Sequence, residues 1–107
     1  MQRVAVIARL KPNTTERARE LIHQGPPFDP EALRLERHTV YLSDDHVVFV
    51  FEGGRVNALV RAVAQTGAGT AAFAEWEPIL DGIPRLTREE FVWVRSEEPA
   101  WAGAWGE

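Results

Sequence analysis

Of the side chains in this 107-residue sequence, few titrate near neutrality or offer a phenol: three histidines and one tyrosine, set among 12 basic and 16 acidic residues. Cysteine is absent, which excludes disulfides, thiolate nucleophiles and thiolate metal sites. His38 stands out as the single titratable side chain on an apolar face of its strand. An imidazole titrates near neutrality, and burial would hold it neutral, so it is the natural general base or acid. The plainer alternative is a core histidine bonded to a backbone carbonyl or to Glu36. Tyr41, Arg9 and Glu52 form a second candidate group, in which a phenol and a guanidinium would orient a carboxylate or enolate ligand. Their plainer alternative is a salt bridge of Arg9 or Arg37 to Glu52 at an interface, with Tyr41 as packing. His23 and His46 are expected at the surface. No two histidines share the i, i+4 spacing of a helical metal site and no carboxylate completes a triad, so neither metal nor cofactor is expected.

The stretch that must position these residues is Glu36–Glu52, ERHTVYLSDDHVVFVFE. Two arms rich in β-branched and aromatic residues flank Asp44-Asp45, which reads as a turn before it reads as a calcium loop. Counting outward from that pair sets Ser43 against His46, Leu42 against Val47, and so on to Arg37 against Glu52, opposite charges at the open end. One face then carries His38, Val40, Leu42, Val47, Phe49 and Phe51. The other carries Arg37, Thr39, Tyr41, Val48, Val50 and Glu52. The first is the more apolar and is assigned to the core beneath the helices. Slipping the register by one residue would exchange the faces.

Around the hairpin, Arg3–Leu10 is a continuous apolar run, read as a strand buried on both faces. Thr14 or Thr15 caps a helix over Thr15–Gln24, with Glu16 in its first turn and Gly25 just past its end. Asp29-Pro30 starts a single helical turn over Pro30–Leu33, and Phe28 is expected to plug this connection into the core. Val56, Leu59, Val60 and Val63 mark a second helix that Gly67 ends. Gly53-Gly54 and Gly67-Ala68-Gly69 match no phosphate loop. Thr70–Leu80 reads as a third short helix, Asp81–Pro84 as a turn, and Glu89–Arg95, EEFVWVR, as the last strand. Phe73 and Trp76, with Trp93 from that strand and Phe49, Phe51 and Glu52, would line a pocket for a planar apolar molecule. Alternatively the aromatics are simply the bulk of a small core. Trp101 and Trp105 lie in a tail without periodicity and are expected to pack on a partner subunit.

Strand, helix, strand, strand, helix, strand is the split βαβ order of an α+β, ferredoxin-like βαββαβ sheet with its helices on one face. VAVIA, VVFV and FVWV are apolar on both faces, and this short chain has no spare helix for the second. A second copy of the sheet is the simplest cover. In this pattern the chain resembles the dimeric α/β-barrel superfamily over residues 1–96, with 97–107 as a tail. The resemblance lies in topology and patterning, without a diagnostic motif. It implies a homodimer with a pocket for a small apolar or aromatic molecule. It further suggests cofactor-free oxygenation or isomerisation, His38 acting as base with Tyr41 and Arg9 orienting an oxyanion. A non-enzymatic ligand-sensing or interaction dimer is the alternative. The first strand, Val4–Arg9, lacks the asparagine of the oxygenase pattern, and Arg55–Thr66 lacks the histidine of the haem-degrading one.

The remaining totals narrow the partners. A net charge of −4, with basic and acidic residues interleaved, supplies no basic stripe for nucleic acid. The first apolar run is too short for a signal segment or a membrane span, so a cytoplasmic protein without membrane or nucleic-acid partners is expected.

Overall fold

A computed structural model describes residues 1–64 and 73–95. Its elements are β1 (Gln2–Arg9), α1 (Thr15–His23), β2 (Leu35–Leu42), β3 (His46–Gly53), α2 (Val56–Ala64), a 3₁₀ turn (Glu77–Ile79) and β4 (Arg85–Leu86). The four strands form one antiparallel sheet in the order β2-β3-β1-β4. The arrangement is α+β and compatible with the ferredoxin-like fold.

The hairpin forms in the register that its turn dictates, from Arg37 opposite Glu52 to Leu42 opposite Val47, and the Ser43 amide donates to the His46 carbonyl at 2.9 Å. At its open end the ladder slips: Leu35 opposes Gly53 and Glu36 is the extra residue of a bulge. The turn is tied to its surroundings, since the Leu10 amide donates to the Asp45 carbonyl and the Thr15 hydroxyl to the Asp44 carbonyl. Thr14 sits at the N-cap of α1, but its hydroxyl donates back to the Lys11 carbonyl rather than capping the helix.

One face of the sheet makes the core. Val4, Val6, Ala8 and Leu10 of the β1 segment and Val47, Phe49 and Phe51 of β3 are buried against Ala18 and Leu21 of α1, Val56 and Val60 of α2, and Trp76, Ile79 and Leu80. Phe28 packs on this core as the sequence suggests. The opposite face holds Ala5, Ile7, Thr39, Val48 and Val50, all half-buried, and no described helix lies on it.

The C-terminal third differs from expectation in two ways. Phe73–Trp76 is a turn running into the 3₁₀ helix, not a continuous third helix; residues 70–72 of that expected helix lie outside the described residues, as do Gly67, Trp101 and Trp105. The last strand is Arg85–Leu86, not Glu89–Arg95. The cause is where the chain returns to β1. Leu80 bridges Leu10, the Lys11 amide donates to the Ile79 carbonyl, and the Asp81 amide donates to the Arg9 carbonyl. The antiparallel run along β1 therefore begins at its far end, and Ile7 opposite Arg85 and Val6 opposite Leu86 continue it. The Thr87 amide and hydroxyl both donate to the Ala5 carbonyl. Extending that register, residue 90 reaches Gln2, the first residue of β1. Phe91–Val94, the residues with the strongest strand propensity, thus fall past the end of β1.

Candidate functional site

His38 is placed on the helix-side face by the alternation of β2, directly opposite Phe51. Its ring lies 4.7 Å from that of Phe51 and meets the edge of Phe28 at 5.2 Å. Nδ1 is 3.0 Å from the Val50 carbonyl oxygen. A carbonyl can only accept, so Nδ1 carries the proton and Nε2 keeps its lone pair. Burial pushes the imidazole pKa below its ordinary 6.5, and the Val50 hydrogen bond opposes that in part. His38 is therefore neutral at physiological pH, and Nε2, with no hydrogen-bond partner among the described residues, is not sealed from solvent.

Beside His38 is a cleft of about 60 Å³ whose wall includes Leu21, Pro26, Pro27, Val40, Phe49 and Trp76. The Gly25-Pro26-Pro27 connection forms its rim because Gly25, at φ 98°, turns the chain sharply out of α1. Phe49 is the hub of its floor: Trp76 meets it edge-on at 5.2 Å and Phe73 at 5.3 Å. The volume admits a few waters or a small polar group. Pockets that enclose drug-sized ligands run to roughly 300–1,000 Å³.

The other candidates lie elsewhere. Tyr41 and Arg9 are on the opposite face of the sheet from His38, so the three cannot act on one ligand within a subunit. Tyr41 is 61% exposed, level with Val48 and Ile7. Arg9 opposes His46, whereas Glu52 is six residues further along β3, roughly 20 Å away at 3.3 Å per residue. Glu52 is instead bracketed by Arg3 and Arg37, each with Nε 3.9 Å from one carboxylate oxygen. Trp93 is 66% exposed and lines no part of the cleft; the Arg95 guanidinium lies over its ring. Phe49, Phe51, Phe73 and Trp76 are thus gathered with His38, Phe51 by stacking on its ring, while Glu52 and Trp93 are not.

Two features escaped the sequence reading. Arg3, unremarked there, joins Glu52 to Glu89, whose carboxylate is 3.3 Å from its Nε. With Arg37 this makes a row of alternating charge across one end of the open face. The second is that Asp45 accepts from the Ser43 hydroxyl and pairs with His46 Nδ1, and these contacts, the histidine's first, hold its carboxyl below the usual carboxylate range. Among the described residues no three His, Cys, Asp or Glu side chains are grouped to hold a metal ion, and no helix is long and apolar enough to cross a membrane. No family model, no curated protein and no solved structure matches the chain.

Proposed function

We propose that the chain works as a homodimeric interaction or ligand-sensing module, two copies closing their sheets into an α/β barrel. The open face of the sheet carries this reading. A sheet face meant for water alternates to polar residues, yet the centre of this one is Ala5, Ile7, Val48 and Val50, with Tyr41 standing proud of it. Arg3, Arg9, Arg37 and Glu52 rim it. An apolar centre with a charged rim is the anatomy of a protein interface. His38 fits the same reading: its bond to a backbone carbonyl and the small cleft beside it describe a histidine that packs. Sedimentation of the purified protein at micromolar concentration tests the proposal. A dimer is expected, and a monomer across the range defeats it.

A second reading is favoured by one observation, the Nε2 lone pair of a tautomerically fixed, neutral His38 beside the cleft. It makes His38 alone a proton acceptor for a small molecule, without Tyr41 or Arg9. Titrating small carboxylates and phenols while following the His38 ring by NMR checks it. A saturable shift supports the reading, and ring resonances that stay unmoved by every compound exclude it for those classes.

A further inference from the structure

The chain has four aspartates, Asp29, Asp44, Asp45 and Asp81. An aspartate can cyclise onto the residue that follows it. The next main-chain nitrogen attacks Cγ, a C–N bond closes a succinimide ring, and one carboxyl oxygen leaves as water. Water then reopens the ring. Attack at Cγ restores aspartate, whereas attack at the α-carbonyl leaves the chain running through the side chain as isoaspartate, with the α-carboxylate free. Water is the only co-reactant. The reaction needs a carboxyl free to turn, an amide N–H not already spent, and little bulk on the attacking residue.

Three of the four sites fail these needs. Asp29 precedes Pro30, which has no amide hydrogen to give up. Asp45 is tied on both sides. Its carboxylate accepts from the Ser43 hydroxyl and pairs with His46 Nδ1, and the His46 amide donates to Ser43 Oγ at 3.0 Å. The amide that Asp44 would use belongs to Asp45, which brings a side chain and a negative charge of its own.

Asp81 meets all three. Among the described residues its carboxylate makes no ion pair or hydrogen bond, and the Gly82 amide donates to no acceptor. Gly82 carries no side chain, and no atom stands within 4 Å of where its Cβ would be. The segment also has spare length. The Asp81 amide is anchored on the Arg9 carbonyl, and Arg85 pairs with Ile7. From Arg9 to Ile7 is two positions along β1, while from Asp81 to Arg85 is four on the returning chain. The extra residues arch outward through Gly82 at φ 104°, with Asp81, Gly82 and Ile83 exposed. Such an arch takes up the twist of ring closure without breaking either anchor.

We propose that Asp81-Gly82 is a self-modification site, at which the folded chain converts aspartate to isoaspartate through a succinimide. The product keeps its negative charge, adds one carbon to the main chain between the two anchors on β1, and presents an α-carboxylate at the surface. Asp45 must first release both its carboxylate and its attacking amide, so Asp81 converts faster by about tenfold or more.

The full chain, held for weeks at neutral pH in heavy-oxygen water, is digested in ordinary water and mapped by mass spectrometry. Either ring opening takes one oxygen from the solvent. Electron-transfer fragmentation distinguishes isoaspartate from aspartate. The expected result is label and isoaspartate at Asp81, with Asp29, Asp44 and Asp45 at least about tenfold behind. Circular dichroism should show the chain folded throughout. Asp81→Glu, an exposed change that keeps the charge, should leave the same peptide unlabelled. Label at Asp81 no faster than at Asp44, label confined to a parallel sample unfolded in urea, or label persisting in Asp81→Glu would each overturn the proposal.

Discussion

An imidazole flanked by two aromatic rings resists taking a second proton, and His38 does so while the unfolded chain titrates normally. Its folded pKa lies below 6.5 because burial disfavours the charged form. The unfolded chain therefore binds more protons in the window beneath 6.5, and stability falls as pH drops from 6.5 toward the folded value. Above that window the contribution is constant. Urea midpoints at pH 7.5 and pH 5.5 should differ, and His38→Gln should flatten the difference; an unchanged slope in the variant would assign the pH dependence to other groups. At this scale the face of each residue was legible from period-2 alternation, which put His38 with Phe49 and Phe51. Position along a strand was not legible. The turn fixes β2 against β3, but nothing local fixes β1 against β3, so Arg9 and Glu52 could be assigned to one face without showing that they occupy opposite ends of it.

Gly53 closes β3 where Glu36 bulges from β2, and a Cβ built there would sit 2.9 Å from the Arg34 carbonyl oxygen. The obstacle is backbone, held by a residue already in the left-handed region at φ 54°, so it has little room to give. Gly53→Ala is expected to destabilise the protein by about 1–3 kcal/mol through this overpacking, read as a lowered denaturation midpoint. Gly54→Ala, with open space at its Cβ, is the matched control and should stay within about 0.5 kcal/mol. Among the elements, the hairpin could be read from the sequence because its two-residue turn sets the register. The last strand could not. Propensity favours Phe91–Val94, whereas the bridge of Leu10 to Leu80 starts the return along β1 several residues earlier, and such a long-range contact leaves no local trace.

Among the described residues the helices lie on one face of the sheet and none lies on the other, and the two-sided apolar runs of the sequence already ask for a cover on both. What covers the open face belongs to the proposal, and Tyr41 is its most accessible test. Its 61% exposure means that the single subunit asks little of the ring. Tyr41→Glu should leave the folding midpoint within about 0.5 kcal/mol. A carboxylate introduced amid the apolar centre should nonetheless weaken self-association by about tenfold or more, since an unpaired charge desolvated at an interface costs upward of about 1.4 kcal/mol. Sedimentation of the variant against the parent measures this. Equal dissociation constants would move the interface away from the open face.

The pairing of Thr87 with Ala5 spans 82 positions of the chain. Sheet completion thus depends on a contact of high sequence separation, the kind that slows folding. On the ribosome the hairpin can zip as soon as it emerges and dock against β1, while the other side of β1 waits for its neighbour. At translation rates of roughly 5–20 residues per second that wait lasts on the order of seconds. For that interval the first strand is a bare, apolar edge, and the nascent chain is most open to mispairing and to chaperones then.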